Sequence, residues 1–196
     1  MTEAEDGRRR RREFTAQYAG AYERLRANPA PDATLSVEQS HAESFGRLVH
    51  ALLALPDAAT TDLTVTARTL AMGIGLDESE AAVAADLAKR ACAVPEIAAA
   101  NSADLVYREL PFAVPIDGKL ATGRIDLVYR KDGEWTIIDF KTAGLRDPAR
   151  LAETYGPQLE TYRRALASIT GQPIRAVLCL LLDGRLWSAD KNDGQE

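Results

Sequence analysis

The stretch WTIIDFKT, residues 135–142, has the apolar side chains of a buried strand and also carries two charges. Its isoleucines and phenylalanine suit the interior of a sheet, whereas Asp139 and Lys141 are residues that such a strand normally excludes. A charge that leaves water needs an opposite charge or a metal ion beside it. The two charges therefore indicate a chemical site within the strand rather than packing alone.

Two Asp-Gly pairs predict that this strand is the third of three consecutive strands. The strands are DLVYRELPFAVPI (104–116), KLATGRIDLVYR (119–130) and EWTIIDFKT (134–142). Asp117-Gly118 and Asp132-Gly133 separate them, and Asp-Gly between alternating apolar segments is a strong signal for a two-residue hairpin loop. The sequence therefore predicts two consecutive hairpins.

A helix and a further strand are predicted after the hairpins. The helix covers residues 147–171, with an interruption expected at Gly156-Pro157 because proline removes a backbone donor. PIRAVLCLLL (173–182) is apolar on both faces, which is typical of a strand that pairs in parallel with its neighbour. The order β-β-β-α-β predicts an α/β domain with a mixed central sheet.

Helices are predicted before the first strand. SVEQSHAESFGRLVHALLAL (36–55) has helical spacing of apolar residues, and Ser40 followed by Glu43 has the spacing of a capping box. Further helices are expected near 62–72, 77–93 and 95–101. We divide the chain into a basic arm or linker at 1–35, with a run of five arginines at 8–12 and a helix, the α/β domain at 36–190, and an acidic tail at 191–196.

Composition narrows the functional classes. The chain has 196 residues, is 46% hydrophobic and carries a net charge of -5, which fits one globular domain and argues against a broadly basic nucleic-acid coat. Two cysteines without Cys-x-x-Cys spacing argue against a disulfide framework, structural zinc or an iron–sulfur cluster. Without a secretory signal or a membrane-length apolar run, we expect a cytoplasmic protein.

Strand alternation predicts where the charges point. On the third strand it places Asp139 and Lys141 on one face. On the second strand it places Asp126 on the face opposite Ile125 and Leu127. The sequence therefore predicts acidic side chains on both strands of the second hairpin.

The hairpin loop decides whether the two acids meet. A two-residue loop at Asp132-Gly133 places Asp126 directly opposite Asp139, whereas a three-residue loop with a bulge at Gly133 shifts the pairing. Opposed residues have Cβ atoms about 4.5–5.5 Å apart, and two carboxylates there repel each other. Such a pair needs a shared proton or a cation, of which a divalent cation is the better answer, and oxygen ligands favour Mg²⁺ or Mn²⁺ over zinc.

The segment GRIDLVYRKDGEWTIIDFKT, followed by YGPQLETYRRAL, resembles the PD-(D/E)XK nuclease superfamily. It is most similar to the RecB-like nuclease domains at the end of AddA-type bacterial helicase–nucleases, and the resemblance runs from about residue 40 to 182. The resemblance implies a restriction-endonuclease-like fold. It also implies Mg²⁺-dependent DNA cleavage, exonuclease action with a helicase in recombination and repair, and association with the bacterial nucleoid.

The resemblance also implies which residues hold the metal. Asp126 is then the first acidic ligand, Asp139 the second, and the carbonyl of Phe140 completes the metal shell. FGRLVHALL is similar to the family's helical histidine motif, which implies that His50 is a third side-chain ligand. By itself, a histidine in such a helix is also consistent with packing in the core.

Three further residues gain catalytic roles from the resemblance. Lys141 is the catalytic lysine that acts with the two acids. Gln158 and Tyr162 are four residues apart, so they share one helix face and lie near the scissile phosphate. Packing roles remain the alternative for both.

Other interpretations of the sequence remain open. The chain has no Gly-x-x-x-x-Gly-Lys-Ser/Thr loop, so a motor activity needs a helicase in the same or another chain. Glu109 is a candidate supporting acid, whereas His41, Trp135 and Trp187 suit surface or packing roles. The main alternative is a non-catalytic nucleic-acid-binding or assembly module. A small-molecule hydrolase would need a Gly-x-Ser-x-Gly elbow or a Cys/His pair, and neither is evident.

Overall fold

The computed structural model describes residues 37–142, 144–145 and 147–188. The basic arm predicted at 1–35 and the acidic tail predicted at 191–196 lie outside the described residues. The domain boundaries proposed from the sequence therefore remain predictions.

Among the residues that the structure describes, four helices and one 3₁₀ turn precede the sheet. They are α1 (Val37–Leu53), α2 (Leu63–Gly73), α3 (Glu78–Cys92), α4 (Pro95–Ala98) and the 3₁₀ turn Ala99–Ser102. Ser40 lies inside α1, so its predicted role as the N-cap is wrong; a serine and a glutamate three residues apart also fit one turn within a helix. A capping box does open α3, where Asp77 accepts from the Glu80 N–H and Glu80 accepts from the Asp77 N–H.

Between residues 37 and 188, the described part of the chain, the sheet has five strands in chain order. They are β1 (Leu105–Ile116), β2 (Lys119–Lys131), β3 (Glu134–Lys141), β4 (Ile174–Leu180) and β5 (Arg185–Trp187). Neighbours are antiparallel except β3 and β4, which are parallel and joined by helix α5 (Pro148–Thr170). The predicted α/β class with a mixed sheet is confirmed, and β5 is a short edge strand that the sequence analysis missed.

The two Asp-Gly hairpins form as predicted. Asp117 and Gly118 have φ values of 51° and 74°, and Asp132 and Gly133 have 52° and 86°. Two successive positive φ values are the signature of a type I′ turn, whose twist matches that of antiparallel strands. The β2–β3 ladder pairs residues whose numbers sum to 265, as in Leu127 with Ile138, so the two-residue loop register is confirmed.

Helix α5 is continuous, so the interruption expected at its centre is wrong. Asp147 caps its first turn by accepting from the Arg150 N–H at 2.9 Å, and Gly171 ends it with a φ of 66°. Pro157 lies inside the helix. The residue before a proline normally resists helical geometry because its Cβ meets the proline ring, and Gly156 has no Cβ. The glycine therefore relieves one of the two obstacles that the proline creates.

The sheet separates two apolar cores. Helices α1–α3 cover one face, where Leu127 and Phe140 pack, and α5 covers the other, where Ile125, Val128 and Ile137 pack. We expected Ile125 and Leu127 on the same face, and that prediction is wrong. The strand therefore changes face between these two residues, at the position of Asp126.

The change of face coincides with an unusual backbone in the neighbouring strand. Glu109 of β1 has a φ of 52°, a left-handed value that only a few per cent of non-glycine residues adopt. β1 and β2 pair on both sides of Glu109 in one register, which would place Glu109 opposite Asp126. The unbroken register therefore places the two acids opposite each other without an inserted residue, and the irregular backbone lies at the same level of the sheet.

Gly123 of β2 is predicted to be intolerant of a side chain. A Cβ there would lie 2.7 Å from Cε1 of Phe112, a buried ring that packs edge to face against Tyr162. Gly123→Ala should cost about 1–3 kcal/mol of unfolding free energy, measured by urea denaturation, because the ring must leave its place. Gly73→Ala, where a Cβ meets nothing within 4 Å, is the control and should be neutral or slightly stabilising. Equal stability of the two variants would contradict this view of the packing.

Candidate active site

All six side chains that the sequence analysis assigned to the site line one cleft. The cleft has a volume of about 1020 Å³ and lies between α1, α5, the middle of β2 and the end of β3. The six residues are His50, Asp126, Asp139, Lys141, Gln158 and Tyr162. The structure adds Glu109 and Arg124 to the same cleft.

Asp126 lies where β2 and β3 separate. The last ladder pair before the separation is Leu127 with Ile138. Beyond that pair, Oδ2 of Asp126 accepts a hydrogen bond of 2.7 Å from the Phe140 N–H. The carboxylate thus replaces the backbone acceptor that β2 would otherwise supply. Its other oxygen, Oδ1, lies 3.2 Å from Nδ1 of His50. The carboxylate therefore joins β2, β3 and α1.

The end of β3 is held from its other side. β3 pairs with β4 as far as Lys141 and Leu180, and the carbonyl of Lys141 accepts from the Leu181 N–H at 2.9 Å. The strand thus stays regular after its separation from β2. This leaves Asp139 and Lys141 fixed in position beside an open cleft.

Helix α1 positions His50 by close approach to β3. A Cβ on Gly46, one turn earlier, would lie only 3.3 Å from Oγ1 of Thr142, just after the end of β3. The His50 ring packs edge to face on the Phe140 ring, with centroids 6.1 Å apart. Burial lowers the pKa of His50, but its hydrogen bond to Asp126 and the surrounding carboxylates outweigh burial and raise the pKa overall.

His50, Glu109 and Asp126 form a cluster with metal-ligand chemistry. One nitrogen or oxygen of each lies within 4.8 Å of those of the other two. Burial raises the pKa of Glu109 and repulsion from Asp126 adds to this, while Arg124, 3.0 Å away, and His50 oppose it. Glu109 was expected only as a supporting acid, and its position opposite Asp126 in the β1–β2 register brings it to this cluster.

Asp139 and Lys141 form a partly buried ion pair. Lys141 Nζ lies 2.8 Å from Oδ2 of Asp139, and Asp139 is 1% exposed. Within the described residues this oxygen has no hydrogen bond of good geometry. Burial and the charge of Asp126 raise the pKa of Asp139 to about 6, although Lys141 opposes the shift. Lys141 Nζ also lies 5.2 Å from the centre of the Tyr155 ring, a contact that sequence spacing does not reveal.

Gln158 and Tyr162 are held together on one face of α5. Gln158 Nε2 donates to the Tyr162 hydroxyl at 2.6 Å. Burial raises the pKa of Tyr162 to about 12, and the carboxylates of the cleft contribute, so the hydroxyl stays protonated at neutral pH. The Phe112 ring fixes the tyrosine ring from the side, with centroids 5.6 Å apart.

The residues for which surface or packing roles were predicted lie away from the cluster. His41 is exposed and contacts Glu80 of α3. Trp135 is buried and stacks on Tyr107, with centroids 6.5 Å apart. Trp187 is half-buried in β5 and packs against the α5 side of the sheet.

The donor set fits a hard divalent cation. Carboxylate oxygens and one imidazole are suitable ligands for Mg²⁺ or Mn²⁺. Asp139 lies beside the cluster, and the Lys141 ammonium 2.8 Å away already compensates its Oδ2, so the fit to a metal rests on the donors of His50, Glu109 and Asp126. The lysine and the protonated tyrosine add donors that can hold an anion.

Comparison with known proteins gives the class of this fold and site. The chain belongs to the PD-(D/E)XK nuclease superfamily, whose family model matches residues 7–191. The expectation from the GRID and IIDFKT segments is thereby confirmed.

Individual relatives are large proteins. An ATP-dependent helicase/nuclease subunit of Staphylococcus epidermidis is 34% identical over 104 residues, and the match covers 43% of this chain and 8% of that protein. The corresponding ATP-dependent helicase/nuclease subunit of Geobacillus thermodenitrificans is 30% identical over 129 residues, covering 54% of this chain and 10% of that protein. The chain therefore spans only a small part of the curated relatives that it matches.

One solved structure resembles this chain only weakly. A solved structure, protein VC1899 from Vibrio cholerae, aligns with 72% of this chain and 43% of its own, with a TM-score of 0.34 and 13% identity. That likeness is too weak to bear on function. No helix among the described residues has the length and apolar character needed to cross a membrane.

The hydrogen bond between Asp126 and Phe140 generates a stability prediction. Asp126→Ala leaves a partly buried N–H without its acceptor, which should cost about 1–3 kcal/mol in urea denaturation in EDTA. Asp126→Asn keeps an acceptor oxygen of the same shape, so it should cost less than half as much. Equal losses in the two variants would show that the charge, and not the hydrogen bond, holds the strands.

Proposed function

We propose that this chain is a Mg²⁺-dependent DNA nuclease that hydrolyses phosphodiester bonds. The observation that carries the proposal is the position of the Asp139–Lys141 pair beside the cluster of His50, Glu109 and Asp126 in one cleft. Membership of the PD-(D/E)XK nuclease superfamily supports it. A purely structural role gives no reason for so many charges in a partly buried place.

We assign the metal to His50, Asp126, Asp139 and the carbonyl of Phe140, and we add Glu109 to this set. A bound divalent cation lowers the pKa of water and polarises a phosphoryl oxygen. The carboxylates repel one another without the cation, and this repulsion contributes to the raised pKa values of Glu109 and Asp139. Mn²⁺ is the expected substitute for Mg²⁺.

The remaining residues act on the phosphate. Lys141 stabilises negative charge that develops on the phosphoryl oxygens, and Asp139 fixes its direction through the ion pair. The hydroxyl of Tyr162 is buried and protonated, so it can donate to a phosphate oxygen while Gln158 orients it. Two fixed donors thus approach the substrate from different elements, β3 and α5.

The biological setting follows from the relatives and stays part of the proposal. The matched proteins are ATP-dependent helicase/nuclease subunits, and the matched segments cover 8–10% of their length. We propose exonuclease action in bacterial recombination and repair, in the cytoplasm, with a helicase in the same or another chain. The partner would supply the strand separation for which this sequence carries no phosphate-binding loop.

Cleavage of labelled linear and circular DNA tests the proposed activity. We expect degradation of linear DNA with Mg²⁺ or Mn²⁺ and none in EDTA, with circular DNA more resistant because an exonuclease needs an end. Cleavage that persists in EDTA would refute the metal-dependent proposal. Binding of DNA without cleavage under any metal would favour the non-catalytic module.

Lys141→Ala should slow the chemical step by about 10²–10³, as expected for removal of one donor that stabilises transition-state charge. DNA affinity should change little, because the side chain is mostly enclosed by Asp139 and Tyr155. Single-turnover cleavage rates measure the effect. Lys131→Ala, at the far end of β2, is the control and should match the wild type. A loss of only a few-fold would assign Lys141 a structural role.

Metal binding should raise the melting temperature of the folded protein. A ligand at a hundredfold excess over its Kd stabilises the folded state by about 2.7 kcal/mol. We expect Asp126→Asn to abolish most of the Mn²⁺-induced rise and Glu109→Gln to reduce it, because each removes a charged ligand. Thermal melts with Mn²⁺ and with EDTA give the difference. A full Mn²⁺ effect in Glu109→Gln would remove Glu109 from the ligand set.

A further inference from the structure

One face of α1 forms a wall of the cleft along several helical turns. Apart from the buried Leu48, the α1 residues that line the cleft are Ala42, Glu43, Gly46, Arg47, His50 and Ala51. Their spacing of three and four residues is that of a single helix face. A strand of nucleic acid that reaches His50 would therefore run along this face.

Arg47 differs from the other cations of the cleft. Arg124 is paired with Glu109 at 3.0 Å and Lys141 with Asp139 at 2.8 Å. Arg47 is exposed, and within the described part of the chain it has neither an ion pair nor a hydrogen bond. Its guanidinium is therefore available to an anion in the cleft.

The obvious internal partner of Arg47 is not used. Glu43 lies four residues earlier on the same face, the spacing at which a glutamate and an arginine commonly pair. The structure forms no such pair between these two residues, although it forms the i,i+4 pair of Asp86 and Arg90 in α3. Arg47 is therefore not engaged in an ion pair with Glu43 on the surface of α1.

Arg47 is placed to bind a phosphate next to the cluster of His50, Glu109 and Asp126. Arg47 precedes His50 by three residues, which is a rise of about 4.5 Å along the helix. The two side chains therefore leave one face of α1 within a turn of each other, so a phosphate bound by Arg47 would neighbour one bound at the cluster. Arginine is also well suited to the task, since its planar fork binds two phosphate oxygens at once.

We propose that Arg47 is a positioning residue that binds a DNA phosphate. This phosphate is the neighbour of the scissile phosphate, which lies at the cluster of His50, Glu109 and Asp126. This inference rests on the proposed nuclease function. Arg47 touches no reacting atom in this arrangement and sets where the strand lies along α1. Its loss should weaken binding and raise KM while kcat stays within a few-fold of the wild type.

Salt-dependent DNA binding tests the proposal without cleavage. The probe is a fluorescein-labelled single-stranded oligonucleotide, measured by anisotropy with Ca²⁺ in place of Mg²⁺ between about 50 and 200 mM salt. Arg47→Ala should lower the affinity several-fold and reduce the slope of log K against log salt by about 0.7, the value for one single-strand phosphate contact. Arg47→Lys should keep the slope and recover only part of the affinity.

Arg175→Ala is the matched control. Arg175 is an exposed arginine at the start of β4, at the opposite end of the sheet, and its ion pair with Glu96 is long at 3.8 Å. Its replacement should leave affinity and slope unchanged. The Mn²⁺-induced rise in melting temperature should be the same in Arg47→Ala and in the wild type, because Arg47 holds no metal.

The outcomes separate this proposal from the nuclease function. An unchanged slope in Arg47→Ala, an equal loss in Arg175→Ala, or a wild type that binds no DNA would each overturn the role of Arg47. A wild type that binds DNA but cleaves it with neither Mg²⁺ nor Mn²⁺ would refute the nuclease function, and the slope of Arg47→Ala would still decide the phosphate contact.

Discussion

The hydrogen bond from the Phe140 N–H to the Asp126 carboxylate is the interaction on which the site depends. Antiparallel strands normally satisfy each other's backbone groups, so two strands that part leave donors without acceptors. Here a side chain takes the place of the lost strand partner at 2.7 Å. The hairpin can therefore open at this point and expose a cleft at little cost in unsatisfied backbone groups.

Opening the hairpin also explains how acids come to share a small space. Asp126 of β2 contacts His50 of α1. It also lies close to Glu109 of β1 and to Asp139 of β3. Burial and the charge of Asp126 raise the pKa values of Glu109 and Asp139, so the fold disfavours the charged forms of both carboxylates. The arrangement is poor for stability by itself and is understandable if a cation completes it.

Much of this could be predicted from the sequence, because the signals were local. The Asp-Gly turns set the register of β2 against β3, and that register placed Asp126 and Asp139 at the same level. What could not be predicted depended on non-local packing or on rare backbone geometry. The left-handed backbone at Glu109, the passage of α5 through Pro157 and the three-residue strand β5 leave no periodic pattern in the sequence.

The contact between the Phe140 and His50 rings has a consequence for genetic screens. Phe140 faces the helical core, while its peptide N–H bonds to Asp126 and its carbonyl is assigned to the metal. A smaller apolar residue there would let the His50 ring shift, although the backbone atoms stay chemically the same. A screen that scores only activity would group such a variant with the loss of a ligand. Measurements of unfolding free energy would instead classify the same variant as a packing defect. Both classifications would be correct, because Phe140 has both roles.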